Sequence, residues 1–183
     1  MMPEMDQDTL TILYTNDIHS HFDAMERIAA MIDELRAQAP GPTLLLDIGD
    51  HMDRSAVETE GTMGRANVDV LNLTGYDAVT IGNNEGLTFT PGQLEQAYAE
   101  LKSPVVCGNI LEKATGRPPD WMHRRLMVQK GGFTIGLVAA TAAFAEFYDL
   151  LGLSALDPRE TIAEDVRQLR GQVDLVIVMS HLG

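Results

Sequence analysis

The chain has 183 residues, a mass of 20.0 kDa and a hydrophobic fraction of 45%. That is enough for one domain with a real core, and it excludes a disordered chain or a disulfide scaffold. Thirteen Lys and Arg against 27 Asp and Glu give a net charge of −14, a field that repels phosphate backbones and argues against a nucleic-acid partner. The single cysteine, Cys107, rules out an intramolecular disulfide and a thiolate zinc site, and reads as a buried core thiol. The Met1–Asp8 segment has neither the basic nor the apolar stretch of a signal peptide, and no apolar run approaches the roughly 18 residues of a membrane span. The expected location is the cytoplasm, with no membrane partner.

In chain order, Thr9–Thr15 reads as a buried strand, and Ala24–Ala39 as a helix with Met25, Ile28, Ile32 and Leu35 on one face. Thr43–Ile48 is a second strand, followed by a weaker helix over Thr62–Thr74 that Gly75 closes. Ala78–Ile81 is a third strand. Thr90 caps a helix with Pro91 at its first position and Leu94, Ala97, Tyr98 and Leu101 as its apolar stripe. Val105–Cys107 is a short fourth strand, and Ile110–Asp120 reads as loop. Leu126–Lys130 and Phe133–Ala140 flank Gly131-Gly132, the signature of a two-residue hairpin. Asp157-Pro158 opens a helix with Ile162, Val166 and Leu169 on one face, and Leu175–Ser180 is a final buried strand. Repeated βα units followed by a hairpin predict an α/β fold with a mostly parallel, partly mixed sheet.

In such folds ligands bind beyond the carboxyl ends of the strands. Strand one runs into Asn16-Asp17-Ile18-His19, strand two into Gly49-Asp50-His51-Met52-Asp53, strand three into Gly82-Asn83-Asn84-Glu85, and the last strand into His181. Carboxylate, imidazole and amide oxygen delivered together suit Mn²⁺, Zn²⁺ or iron. Asp17 and His19 are two residues apart, which in an extended segment points both side chains the same way. Asp50 has two oxygens and is able to bridge two cations, and two cations about 3.5–4 Å apart clamp a phosphoryl group and activate a water. Each piece has an ordinary counter-reading: Gly49-Asp50 and Asn83-Asn84 as turns, His181 as a surface histidine. It is the joint pattern that points to a metal site.

Asp17-x-His19, Gly49-Asp50, Gly82-Asn83 and His181 follow the motif order of the calcineurin-like metallophosphoesterases, which the chain resembles over nearly its whole length. The strings Tyr14–Asp23 (YTNDIHSHFD), Asp47–Asp53 (DIGDHMD), Ile81–Gly86 (IGNNEG) and Ser180–Gly183 (SHLG) are similar to the 5′-nucleotidase / 2′,3′-cyclic phosphodiesterase branch. The resemblance implies a four-layer α/β/β/α sandwich with mixed sheets and two divalent metal ions. It implies that Asp17 and His19 bind one metal, Asp50 bridges, and Asn83 and His181 bind the other. The implied substrate is a small phosphate ester of the nucleotide class, and the implied reaction is metal-dependent hydrolysis.

Two departures follow from the same resemblance. The family's last metal motif, Gly-His-x-His or Gly-His-x-Gln, and its C-terminal nucleotide-specificity domain lie beyond residues 1–183. The expectation is a truncated catalytic domain, inactive alone. The family's Gly-Asn-His-Glu reads Gly82-Asn83-Asn84-Glu85 here, so Asn84 stands at the catalytic His position, and the Asp that partners that His falls on Leu87. The alternative is therefore a degenerate domain that binds nucleotide or metal without catalysis. His21 and His51 are candidate substitute acids, Asp53 a residue that orients a ligand, and His123 a structural residue.

Overall fold

A computed structural model describes residues 9–183; the Met1–Asp8 segment, read above as lacking a signal peptide, lies outside the described residues. The elements in chain order are β1 (Thr11–Thr15), α1 (Phe22–Gln38), β2 (Thr43–Asp47), α2 (Val57–Thr62), α3 (Arg65–Thr74), β3 (Ala78–Val79), α4 (Asn83–Thr88), α5 (Pro91–Tyr98), β4 (Val105–Val106), β5 (Ile110–Glu112), β6 (Met122–His123), β7 (Arg125–Lys130), β8 (Phe133–Thr141), α6 (Ala145–Leu150), β9 (Leu153–Ala155), α7 (Pro158–Leu169) and β10 (Leu175–His181). No described helix is long and apolar enough to cross a membrane.

The predicted helix starts hold because their caps are local. Thr90 Oγ1 accepts from Gln93 N–H, the Gln93 side chain accepts from Thr90 N–H, and Pro91 needs no amide partner at the first position. Asp157 Oδ1 accepts from the Arg159 and Glu160 amides in the same way. Gly131, at φ +59°, turns the β7–β8 hairpin, whose register runs from Arg125 opposite Val138 to Lys130 opposite Phe133.

Three expectations are corrected. The predicted Thr62–Thr74 helix begins only at Arg65, as α3, and an unpredicted helix, α2, ends at Thr62, because Met63 and Gly64 take left-handed φ of +51° and +83° and separate the two. Ile110–Asp120 contains a strand: β5 pairs antiparallel with β9, some forty residues away. On α7 the fully buried positions are Thr161, Asp165 and Leu169, with Ile162 and Val166 only half-buried. Asp165 is accommodated by Arg124 and Arg125, each 2.9 Å from its Oδ1, which tie α7 to the start of the hairpin.

β1-β2-β3-β4-β6 form one sheet, parallel throughout, and β10-β8-β7 form a second, with β10 parallel and β7 antiparallel to β8. Strand alternation sends Leu44, Leu46, Ala78 and Val106 of the first sheet against Ile135, Leu137, Ala139 and Met179 of the second. The opposite face of the first sheet, through Leu45, Val79 and Val105, packs on Ile32, Val68, Leu71, Leu94 and Ala97 of α1, α3 and α5. The outer face of β8 is covered by α7, where Gly136 leaves room for Leu169 and Val173. Helices, sheet, sheet and helix thus form the α/β/β/α sandwich, with the mixing of strand directions confined to the second of these two sheets. The carboxyl ends of β1, β2 and β10 come out together at one edge.

Candidate metal centre

Beyond the strand ends, the first two loops keep following each other. Asp17 N–H donates to Gly49 O at 3.1 Å, His19 N–H to Asp50 O at 2.9 Å, and Ser20 N–H to His51 O at 3.0 Å. To run side by side in this way they leave the strand conformation. Asp17, His19, Ser20 and Asp50 have φ of +54°, +46°, +55° and +53°. Left-handed backbone costs a non-glycine residue about 1–3 kcal/mol, and concentrating it here is the mark of a site held by its surroundings. It also corrects the reading of Asp17 and His19: they converge through this turned backbone, not through the alternation of an extended segment.

Asp17, Asp50 and His181 each offer a ligand atom within 4.8 Å of the others. Asp50 lies between two imidazoles: Oδ1 is 3.4 Å from His181 Nε2, and Oδ2 is 3.7 Å from His19 Nε2. His19 Nε2 is also 3.4 Å from Asp17 Oδ1. The Ile48 carbonyl lies 3.0 Å from His181 Nδ1 and can only accept, so that nitrogen carries the proton and Nε2 faces Asp50. Asn16 Oδ1 is 3.2 Å from the same Nδ1, and the Asn16 amide donates to Asp17 Oδ2. Asn83 joins Asn16, Asp17, Asp50, Ser180 and His181 around a cleft of about 330 Å³. None of the described residues lining it is Lys or Arg.

Asn84 is at the second position of α4, a helix absent from the predicted elements. Its N–H donates to Asp50 Oδ1 at 2.7 Å, and its side-chain amide nitrogen lies 2.7 Å from His19 Nδ1. Leu87, on the same helix, packs into the helix-side core. Asp53 Oδ1 accepts from Ser55 N–H, while Oδ2 sits 3.4 Å from His19 Nδ1. Asp53 thus props an imidazole and caps a turn. His21 stands at the start of α1 without a side-chain cap, exposed and 3.9 Å from Asp23 Oδ1, and His123 is exposed on β6. His51 is buried beneath the loop, its Nε2 3.2 Å from the Asn67 carbonyl oxygen. Cys107 is buried as read, and burial pushes its thiol up to about 11.

The charges below the cleft are strongly perturbed. Burial pushes Asp47 up to about 7, although Thr15 Oγ1–H donates to its Oδ2 at 2.6 Å and Gly49 N–H to its Oδ1 at 3.2 Å. Burial works in the same direction on Asp50, but the hydrogen bonds from His181 and Asn84 and the charges of His181 and His19 outweigh it and hold the carboxyl low. The hydrogen bond to Asp50 in turn raises His181. Asn16, Asp47 and Glu85 were not singled out from sequence, though all three lie inside the quoted motif strings. The one local signal among them is Gly82-x-x-Glu85, the spacing of a helix-start box.

A calcineurin-like phosphoesterase family profile matches residues 10–183. The chain is 37% identical over 180 residues to YunD, an uncharacterised metallophosphoesterase of Bacillus subtilis, and 27% identical over 192 residues to a 5′-nucleotidase of Vibrio cholerae. These alignments cover 97% and 95% of this chain but 39% and 34% of those proteins, so the chain spans little more than a third of their length. Its fold superposes on a 5′-nucleotidase precursor of Thermus thermophilus with a TM-score of 0.82 and 25% identity, over 95% of this chain and 37% of that one. Sandwich, clefted strand ends, motif order and family match agree: the chain belongs to the calcineurin-like phosphoesterase family.

Proposed function

We propose that the chain is the catalytic domain of a metal-dependent phosphoesterase that hydrolyses nucleotide phosphate esters. The observation that carries this reading is the convergence of Asp17, Asp50 and His181, from three separate elements, on one point within 4.8 Å. The donor set of carboxylates and imidazole nitrogen fits hard or borderline divalent cations. Asp17, His19, Asp50, Asn83 and His181 would hold two of them, with Asp50 shared, since its two oxygens already face the two histidines separately. Such a pair supplies positive charge for a phosphoryl group and an activated water. In a protein of net charge −14, with no Lys or Arg among the described residues lining the cleft, an anionic substrate needs that charge.

The chain's own groups prepare the site. His181 donates Nδ1–H to Ile48 O and presents Nε2 to the cleft. With His19 Nε2 turned to the cleft, its Nδ1–H finds Asp53 Oδ2 as acceptor, or the Asn84 oxygen once that amide is turned. Asn84 can donate a hydrogen bond to a phosphoryl oxygen but cannot deliver a proton to a leaving alkoxide. This favours activated esters over ribose 5′-phosphates, and it is also the observation behind the second reading, a degenerate binding domain.

Titration of the chain with Mn²⁺ tests the site. Asp50→Asn should abolish binding, whereas Asp53→Asn should retain it with an affinity about 10–100-fold weaker. Equal losses would show that Asp50 is not the shared ligand. Phosphate release from p-nitrophenyl phosphate and from a nucleoside 5′-phosphate by the intact protein with Mn²⁺ separates the two readings. No release from either ester supports the degenerate domain.

A further inference from the structure

Glu85 is entirely buried, yet it accepts three backbone hydrogen bonds from two different loops. Its Oε2 accepts from Asp50 N–H at 3.1 Å and from Gly82 N–H at 2.8 Å, and its Oε1 accepts from Met52 N–H at 2.6 Å. Two of these donors belong to the segment after β2 that carries Asp50. The third begins α4, which carries Asn83 and Asn84. A buried carboxylate is costly unless hydrogen-bonded, and this one meets donors on both oxygens. The loops approach so closely that a Cβ on Gly82 would lie 2.1 Å from Asp50 Oδ1. Asp50 is itself held at φ +53°.

We propose that Glu85 is the positioning residue of this centre: a buried crossbar that holds Asp50 in its left-handed backbone conformation and sets its separation from Asn83 and Asn84. The proposal rests on the reading of Asp50 as the shared ligand. Glu85 acts through backbone amides and does not touch the cleft. A carboxylate is the fitting group because it has acceptors only. An amide has one oxygen: at the Oε2 position it would leave the Met52 N–H facing an NH₂, and at the Oε1 position it would leave the Asp50 and Gly82 N–H groups so.

The test compares the chain with Glu85→Gln, Glu85→Ala and a control, Leu71→Ala, which opens a cavity in the helix-side core away from the cleft. Mn²⁺ affinity is read by calorimetry, and backbone amide exchange is followed in chelator. Both Glu85 variants should bind Mn²⁺ about 10–100-fold more weakly than the wild type, while Leu71→Ala lowers the melting temperature and leaves the affinity unchanged. In the wild type, the Asp50, Met52 and Gly82 amides should exchange slowly although they lie outside the long strands and helices, and in Glu85→Gln they should exchange faster. Mn²⁺ affinity in Glu85→Gln equal to wild type, or reduced no more than in Leu71→Ala, overturns the proposal. Fast exchange of these three amides in the wild type also overturns it, even where no Glu85 variant folds. Absence of Mn²⁺ binding by the wild type would instead sink the metal reading, and the exchange measurement would still decide whether Glu85 holds the loops.

Discussion

Asp47 has no exposed surface, and its carboxyl is pushed up to about 7 by burial, against an ordinary 3.8. The folded chain therefore holds this proton at pH values where the unfolded chain has released it. Stability from this group is fully present below about pH 4 and is lost as pH rises through 7, a loss on the order of 4 kcal/mol for a shift of this size. Asp47→Asn should remove that dependence. Its oxygen still accepts from Gly49 N–H, and its NH₂ donates to Thr15 Oγ1, which turns its own hydrogen to Tyr76 OH at 2.8 Å. Urea unfolding in chelator should show the difference between the two proteins changing between pH 7 and about pH 4 and levelling off below that, with the variant more stable at pH 8. Parallel curves would mean that Asp47 is ionised in the fold. Nothing in the sequence exposed this charge, since its burial depends on β2 being flanked by β1 and β3, whose Thr15 and Val79 stand in register with it. The gathering of Asp17, His19, Asp50 and His181 at one edge was legible because residue types able to ligate a metal recur at strand ends. The left-handed backbone that joins them was not, because neither Asp nor His requires positive φ.

Among the elements, α5, α7 and the β7–β8 hairpin were readable because Thr90-Pro91, Asp157-Pro158 and Gly131-Gly132 carry their own geometry. α4 was not. It has six residues, under two turns, too few for a periodic stripe, and glycine occupies its cap. β5 was missed because its partner β9 lies far along the chain. The start of α4 also provides a sharp contrast between two glycines. At Gly82 a Cβ would lie 2.1 Å from Asp50 Oδ1 and 2.4 Å from Asp50 N, whereas at Gly92, in α5, it would meet nothing within 4 Å. Gly82→Ala should displace the Asp50 loop and cost roughly 1–3 kcal/mol, as overpacking does, along with Mn²⁺ binding. Gly92→Ala should leave binding intact and stabilise the fold by up to about 1 kcal/mol. Thermal melts with and without Mn²⁺ check both, and an unchanged Mn²⁺ response in Gly82→Ala would count against the close contact.

At the scale of the molecule, the alternation of strands and helices pointed to an α/β fold with one mostly parallel, partly mixed sheet, the layer order came from the family resemblance, and the unequal extent of the two sheets was legible from neither. The first sheet has five strands and the second three. Beside β1 the second sheet gives little cover, and Ile12 and Tyr14 stand 41% and 67% exposed. β10 pairs only with β8 among the described strands, and Leu175 and Val178 are also exposed on it. An apolar strand with one side of its ladder open is a template for a like strand from another molecule. The isolated chain should therefore be colloidally sticky, with the growth of any assembly directed along β10. At about 100 µM, light scattering should detect association that Val178→Lys suppresses, because a charged residue on an open edge deters further pairing. A chain that stays monomeric at that concentration, or a variant that associates equally, would place the stickiness elsewhere. The same strand that carries His181 to the cleft would then set how concentrated the protein can be kept while the cleft is studied.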